Sequence, residues 1–276
     1  MSFSALSGSE YELCGKNTKL YVSKMIQSYV MPNKATYKKL LELGCGTGTI
    51  TDFYIEYFKP ESFLGIDEVE HYLEYARENH SKSSIEIKYE KCDLNNMEEL
   101  KEILKKNLDV DLVISSFVLH WLEDPIELFK TISSNLNPGV EHFHISVVNF
   151  QEELIDLVEA YEGHPTWKVY YQDICKLPPL LSRVDPIYPS KDFIQWILDQ
   201  RFQIYLEQLV PVTNHFESVE MGELFHKFLL PFLNFIPCHL REEFMKEFLS
   251  DSRKACRSVD DKVTWKYNLF LFHTKN

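Results

Sequence analysis

Short apolar runs alternate with longer amphipathic segments along the first half of the chain. Apolar runs of about four to eight residues predict strands, and apolar residues that recur every three or four positions predict helices. The predicted strands are 39–44, 63–66, 85–89, 110–115 and 142–148, and the predicted helices are 16–30, 48–58, 69–80, 96–106 and 125–136. This alternation is typical of a doubly wound α/β fold, in which helices cover both faces of a mostly parallel sheet.

The second half of the chain departs from this alternation. The predicted elements are a helix at 151–162, a proline-rich stretch with aromatic residues at 163–190, a helix that Ser190 caps and that ends near 200, strands at 202–212 and 263–273, and a helical block at 217–257. Two strands joined across a helical insertion would complete a seven-stranded sheet. No repeat and no linker separates the two halves, so we expect a single domain over 1–276.

The most informative segment follows the first predicted strand. An apolar run ends in Glu42-x-Gly44-x-Gly46-x-Gly48, so a buried strand breaks into a glycine turn at the start of a helix. Glycine lets the main chain approach a ligand that a Cβ would keep away. A dinucleotide fingerprint, G-x-G-x-x-G, would need its third glycine at position 49, where Thr49 stands.

This spacing resembles the first motif of the class I S-adenosylmethionine-dependent methyltransferases. The resemblance implies S-adenosylmethionine as the cofactor, rather than a nicotinamide, and donor-binding roles for Glu42, Gly44, Cys45, Gly46 and Gly48. Glu42 would order the glycine loop or bind the methionine ammonium group, rather than act as an acid or base. The alternative interpretation is a glycine turn without a ligand.

Two further acidic residues end predicted strands. Asp67 ends the second strand, where a carboxylate can accept hydrogen bonds from both hydroxyls of a ribose. Asp93 ends the third strand, and in the methyltransferases an acid there accepts from the adenine amino group, while the next residue, here Leu94, supplies a main-chain N–H. The alternative for Asp67 is a solvated residue at the strand end or a helix cap, and the alternative for Asp93 is an N-cap of the helix that follows.

The fourth strand ends in Ser115, a further predicted donor-site position, and a histidine and a tryptophan follow it side by side. Residues after this strand lie at the carboxyl edge of the sheet, between donor and acceptor. The indole N–H of Trp121 can only donate, so it can hold a carboxylate without accepting the methyl group. His120 could donate a hydrogen bond or accept a proton. Alternatively, Trp121 packs beneath a lid and His120 satisfies a main-chain carbonyl.

The Leu-His-Trp element at 119–121 is similar to that of small-molecule carboxyl methyltransferases, including the trans-aconitate and malonyl-carrier enzymes. A narrower similarity, to the insect juvenile hormone acid O-methyltransferases, runs from about Tyr11 to Thr274. It includes a Pro-Phe-x-x-x-Ile-Pro insertion at 231–237. The resemblance implies a cover helix at 1–35, a donor-binding core at 36–150, and helical insertions at 151–190 and 217–258 that form a substrate lid.

The resemblance also implies an activity. The expected enzyme (EC 2.1.1) methylates the carboxylate of a lipophilic acid of the farnesoic or juvenile hormone acid type, as in juvenile hormone biosynthesis. Trp121 and His120 would be its catalytic residues. That family binds the carboxylate with Trp121 and a glutamine on the N-terminal helix, and this chain offers Asn17 or Thr18 instead of the glutamine.

Two other functions stay open. A carboxylate with a pKa near about 4 is ionised at neutral pH and needs no general base, whereas a phenol or alcohol acceptor would make His120 the base. An enzyme acting on a phenol, an amine or a protein side chain is therefore one alternative. A non-catalytic protein that binds the donor is the other.

The amino-acid composition further limits which substrates and partners this chain can have. The chain has 29 basic and 42 acidic residues, a net charge of −13 and no basic cluster, which argues against nucleic acid as a substrate. Six scattered cysteines without a C-x-x-C pair fit a reduced cytoplasmic protein, and no metal site is predicted. No apolar run approaches the roughly 18 residues of a membrane span. Several phenylalanines fall between 216 and 248, as helix core or as the wall of an apolar pocket.

Overall fold

The computed structural model describes residues 6–150, 152–170, 195–197, 199, 200, 202–215, 236–255 and 264–275. The helices are α1 (Gly8–Tyr29), α2 (Thr51–Phe58), α3 (Glu70–Asn79), α4 (Met97–Lys105), α5 (Pro125–Asn135), α6 (Glu152–Ala160) and α7 (Arg241–Ala255). The strands are β1 (Tyr37–Leu43), β2 (Pro60–Asp67), β3 (Glu86–Lys91), β4 (Val110–Ser116), β5 (Glu141–Phe150), β6 (Gln203–His215) and β7 (Thr264–Lys275). Short 3₁₀ turns lie at Leu119–Trp121, Tyr161–Gly163 and Cys238–Leu240.

The seven strands form one sheet in the order β3-β2-β1-β4-β5-β7-β6. The pairs β1–β2, β2–β3, β1–β4 and β4–β5 are parallel, and β7 runs antiparallel to both β5 and β6. The predicted doubly wound, seven-stranded, mostly parallel sheet is therefore confirmed. The strand order reverses between β1 and β4, and ligands of such sheets bind at the carboxyl edge beside that reversal.

Successive residues of the central strands pack on opposite faces of the sheet. In β1, Leu40 belongs to one buried cluster, whereas Leu41 and Leu43 belong to the other. Both faces are covered by helices, so these strands contain short continuous apolar segments, such as Leu40-Leu41 and 112–114, instead of strict alternation. This is why β1 and β4 could be recognised as short continuous apolar runs.

Helix α1 begins eight residues earlier than predicted, at Gly8 rather than residue 16. The reason is a capping box: the Ser7 hydroxyl accepts a hydrogen bond from the Glu10 N–H, and the Glu10 carboxylate accepts one from the Ser7 N–H at 2.9 Å. This pair satisfies two main-chain donors that the polar first turn would otherwise leave open. The helix ends at Tyr29, before Pro32, as expected.

The second half of the sheet extends past its predicted ends. Strand β6 continues to His215 and includes Pro211, which an edge strand tolerates because one side of it needs no ladder bond. The predicted Ser190 cap and much of the 217–257 helical block lie outside the described residues. Within the described residues, no helix combines the length and the apolar character that crossing a bilayer requires.

Candidate functional site

The glycine loop between β1 and α2 forms the centre of the candidate site. Gly44, Gly46 and Gly48 have φ angles of +65°, +54° and +78°, a region that L side chains rarely adopt. Two successive turns, closed by Gly48 N–H to Cys45 O and by Thr51 N–H to Gly48 O at 3.0 Å each, carry the chain through the loop. These turns delay the start of α2 to Thr51, so the predicted start at 48 was wrong.

Each of these glycines is also in close contact with a different element. A Cβ on Gly44 would collide with Val118, which follows β4. A Cβ on Gly46 would lie 2.8 Å from the Tyr11 ring of α1, and one on Gly48 would lie 2.9 Å from the hydroxyl of Tyr89 in β3. The loop therefore accepts only glycine at these three positions, because its main chain has positive φ angles and packs directly against three neighbouring elements.

We expect Gly44→Ala to weaken binding of S-adenosylhomocysteine at least tenfold in calorimetry. The variant would bear both a strained φ, which costs about 1–2 kcal/mol, and the collision with Val118. Gly139→Ala is the matched control, because Gly139 has φ +90° but its added Cβ would meet nothing closer than Lys275 Cε at 3.6 Å. Equal ligand affinity in the two variants would contradict a donor-site role for the glycine loop.

Asp67 ties the end of β2 to the glycine loop. Its Oδ2 accepts a hydrogen bond from the Gly46 N–H at 2.8 Å, and its Oδ1 accepts one from the Val69 N–H at 2.9 Å. Burial raises the pKa of this carboxyl, while the main-chain bonds oppose the rise. Because the side chain keeps partial exposure and each oxygen has a second lone pair, it can still accept from ribose hydroxyls.

Glu42 lies beneath the loop rather than at its surface. It is buried, and the Thr51 hydroxyl donates to its Oε2 at 3.3 Å. Burial raises the pKa of Glu42 to about 8. A buried carboxyl of this kind orders the loop in its neutral form and would ionise beside a cation, so both predicted roles for Glu42 are compatible with its position.

Asp93 and Leu94 lie in the loop that follows β3. The Asp93 Oδ1 accepts from the Asn95 N–H at 2.9 Å, and Leu94 is buried. The alternative that Asp93 caps the next helix is wrong, because Asn96 is the N-cap of α4 and accepts from the Glu99 N–H. Asp93 is therefore free of the capping role and keeps partial exposure at the sheet edge.

The side chain of Ser115 points away from the face that carries Glu42. Its hydroxyl lies 2.7 Å from Nδ1 of His144, within the other buried layer. The neighbouring Ser116 faces the Glu42 side instead, where its Oγ lies 2.6 Å from the hydroxyl of Tyr54. The Ser115 hydroxyl therefore lies on the face of the sheet opposite Glu42, and the Ser116 hydroxyl lies on the Glu42 face.

The turn after β4 presents His120 and Trp121 at the carboxyl edge. Phe117 has φ +62°, an unusual value for a residue with a side chain, and its N–H donates to Ile145 O at 2.8 Å. This reversal starts the 3₁₀ turn and brings the His120 and Trp121 rings to 5.0 Å between centroids. Trp121 stays half-buried against the core, whereas His120 is buried.

His120 satisfies a main-chain N–H, not the carbonyl that the alternative interpretation required. The main-chain N–H of Val147 donates to Nδ1 of His120, with 3.3 Å between the two nitrogen atoms. Burial lowers the pKa of His120 to about 3. The neutral ring therefore has Nδ1 as an acceptor and its proton on Nε2, where it can donate a hydrogen bond.

The predicted substrate-binding positions on α1 are described only in part. Thr18 is half-buried on the helix, and the side chain of Asn17 lies outside the described residues. The sequence did not single out two other residues of α1, Tyr11 and Glu12, which contact the glycine loop directly. The sequence feature that could have identified them is the capping box at Ser7, which places the start of α1 before Tyr11 and Glu12.

The described parts of the two helical insertions pack against each other. The Trp167 indole N–H donates to Oε2 of Glu247 at 2.6 Å, and its ring lies 5.1 Å from Phe244. Phe244 and Phe248 are buried and contact Tyr161, so they are core rather than pocket wall. The described residues hold no cluster of three or more His, Cys, Asp or Glu arranged for a metal ion.

Comparison with known proteins decides the family. A family of the description "Methyltransferase domain" matches residues 35–199, more than half of the chain. The chain is an S-adenosylmethionine-dependent methyltransferase. This class I methyltransferase uses S-adenosylmethionine as its cofactor, which agrees with the spacing of the glycine motif.

Three relatives show the range of this methyltransferase family. The 235L protein of Invertebrate iridescent virus 6, a methyltransferase by its name, is 25% identical over 238 residues, or 86% of this chain and 82% of the relative. The trans-aconitate 2-methyltransferase of Rhizobium etli is 24% identical over 232 residues, or 81% of each chain. The malonyl-[acyl-carrier protein] O-methyltransferase of Brevibacillus brevis is 24% identical over 135 residues, and the chain spans 46% of its length.

Solved structures agree with the methyltransferase fold. The BH2331 protein of Bacillus halodurans superposes with a TM-score of 0.52 at 11% identity, covering 92% of this chain and 97% of that one. The YcgJ protein of Bacillus subtilis gives 0.51 at 11% identity, covering 94% and 98%. At this identity the likeness concerns the fold alone.

Proposed function

We propose that this methyltransferase transfers the methyl group to the carboxylate of a lipophilic small-molecule acid, of the farnesoic or juvenile hormone acid type. The observation that carries the proposal is the turn after β4, where the donor-only indole of Trp121 lies beside a neutral His120 at the carboxyl edge. Relatives named as trans-aconitate 2-methyltransferase and malonyl-[acyl-carrier protein] O-methyltransferase support an acid acceptor.

The state of His120 favours an acid over a hydroxyl acceptor. A general base needs a free lone pair and a pKa near the working pH. His120 has its Nδ1 engaged with Val147 and a pKa lowered to about 3 by burial. It cannot accept a proton at neutral pH, and a carboxylate acceptor needs no proton removed because it is already ionised. His120 would instead donate its Nε2–H to an acceptor oxygen.

Trp121 would anchor the acceptor. An indole N–H holds one carboxylate oxygen and leaves the other to attack, and the half-buried ring excludes water from the charge. Thr18 or Asn17 would supply a further donor from α1. The methyltransferase then only has to align the reacting atoms, since the bound sulfonium supplies an activated methyl group.

The remaining predicted residues would hold the donor. Asp67 would accept from the ribose hydroxyls, and Asp93 with the N–H of Leu94 would bind the adenine. Glu42 would face the ammonium group, because a buried carboxyl with a pKa of about 8 gains a partner when a cation approaches. The Gly44–Gly48 segment would approach the donor with its main chain.

A lipophilic tail fits the apolar surroundings of the turn. Phe117 and Trp121 are both half-buried against the core cluster that contains Trp167. Each buried CH₂ group contributes about 0.8 kcal/mol, so a farnesoid chain would gain far more from such a surface than a polar triacid. The remaining phenylalanines of the predicted lid lie outside the described residues.

The test is a panel of acceptors with isotopically labelled S-adenosylmethionine. We expect methyl ester formation on farnesoid acids, little on short polar acids, and none on phenols or peptides. At saturating donor, kcat should stay flat between about pH 6.5 and 8.5, because the carboxylate and His120 both titrate far below that range. Methylation of a phenol with an acid limb near about pH 6.5 would overturn the proposal.

A further inference from the structure

The carboxylate of Glu12 joins three elements around the donor site. Its Oε2 accepts hydrogen bonds from the hydroxyls of Thr47, at 3.0 Å, and Thr49, at 2.5 Å, both in the glycine loop. Its Oε1 lies 3.5 Å from Nε2 of His80, at the end of α3. We call these four residues, Glu12, Thr47, Thr49 and His80, the Glu12 latch.

The same face of α1 packs closely on the donor site. The Tyr11 ring lies against Gly46 and 4.3 Å from the Tyr72 ring of α3, measured between centroids. Gly8 and Gly15 lie two helical turns apart, and an added Cβ would come within 2.8 Å of Tyr75 or Thr49, respectively. The start of α1 is therefore docked at atomic contact along two turns, with Glu12 in the middle.

Charge strengthens the latch. Although burial opposes ionisation, the bonds from His80, Thr49 and Thr47 hold the pKa of Glu12 below its ordinary value. The contact with Glu12 in turn raises the pKa of His80 against its burial. The other groups that face His80 are Asp52 of α2, with Oδ2 3.5 Å from Nδ1, the Tyr75 ring at 6.5 Å, and the Tyr89 hydroxyl, which donates to the His80 carbonyl oxygen.

We propose that Glu12 is a positioning residue for the methyl donor. It clamps the start of α1 onto the glycine loop, so that docking of α1 and retention of the donor are thermodynamically coupled. Glu12 acts on the donor through Thr47, Thr49 and the packing of Tyr11, and it takes no part in methyl transfer. The inference concerns the donor site and is independent of which acceptor the enzyme uses.

The test compares Glu12→Gln with Glu56→Gln, which makes the same charge change on the exposed side of α2. Binding of S-adenosylhomocysteine, measured by calorimetry, needs no acceptor. We expect Glu12→Gln to raise the dissociation constant about tenfold or more, as the loss of charge-assisted hydrogen bonds predicts, and Glu56→Gln to leave it unchanged. At saturating donor, the kcat of Glu12→Gln should remain within about twofold of the wild type, because only donor retention is impaired.

Amide hydrogen exchange distinguishes a coupling between α1 docking and donor binding from packing of α1 that is independent of the donor. S-Adenosylhomocysteine should protect the amides at 11–18 in the wild type and in Glu56→Gln, and protect them less in Glu12→Gln. Relative to His80→Gln, the wild type should lose donor affinity as pH rises through the raised pKa of His80, and Glu12→Gln should lose that difference. Unchanged affinity and exchange in Glu12→Gln, or equal losses of kcat and donor affinity, would overturn the proposal.

Discussion

Replacing Trp121 with phenylalanine is expected to lower kcat/KM on acid substrates by about 10- to 100-fold while donor affinity changes by less than about threefold. Phenylalanine keeps an aromatic ring on the turn after β4 but deletes the indole N–H, and a hydrogen bond to a charged group contributes about 1.5–3 kcal/mol. Steady-state kinetics with a farnesoid acid, together with calorimetry with S-adenosylhomocysteine, measures both quantities. Full turnover of the Trp121→Phe variant on acid substrates would show that Trp121 is not the carboxylate anchor.

His120→Gln is the matched control for Trp121→Phe. A glutamine carbonyl can accept from the Val147 N–H as the imidazole does, and its amide can still donate to an acceptor, but it cannot act as a base. We therefore expect His120→Gln to retain acid methylation within a few-fold. A collapse of turnover in His120→Gln, with Trp121→Phe little affected, would favour general-base chemistry on a hydroxyl.

The second large effect concerns acid stability. His142 and His144 lie fully buried on β5, beside Phe129 and Phe202, and both ring nitrogens of His142 lack a hydrogen-bond partner among the described residues. Burial lowers the pKa of His142 to about 3 and that of His144 well below its ordinary value. Both rings are therefore neutral in the folded protein.

The sign of the pH dependence follows from these lowered values. At pH values above about 6.5, the pKa of histidine in the unfolded chain, these histidines bind no proton in either state, so they do not change the stability. At lower pH they bind protons in the unfolded chain but not in the folded protein. The free energy of unfolding should thus fall by about 1.4 kcal/mol per pH unit for each histidine as the pH decreases below about 6.5, and for His142 this decrease should continue toward pH 3.

We expect His142→Leu to remove one of these two slopes and to raise stability at pH 5, because leucine fits an apolar layer without unpartnered nitrogens. Denaturant titrations at several pH values between 4.5 and 7.5 measure the slope. His239→Leu, at an exposed position of the Cys238–Leu240 turn, is the control and should keep the wild-type slope. An unchanged slope in His142→Leu would mean that the ring is protonated in the folded state.

The sequence by itself determined the fold and the donor chemistry. Helical periodicity and apolar runs are set by residues that are close in the chain. The central strands β1 and β4 could therefore be recognised from short apolar runs, and the edge strand β3 from alternating residues. The glycine motif is equally local, because a left-handed φ at Gly44, Gly46 and Gly48 can be inferred from residue type and spacing. Its third glycine at 48 rather than 49 excluded a dinucleotide.

Tertiary structure alone decided which atoms of the site are available. Whether Ser115 or Ser116 faces Glu42 depends on strand alternation relative to the helices, and the proton of His120 depends on the Val147 N–H, 27 residues away. The Glu12 contact to Thr47 spans 35 residues and requires α1 to dock on a loop. Hydrogen bonds and desolvation are set by neighbours in space, which a one-dimensional pattern specifies only where those neighbours are also near in the chain.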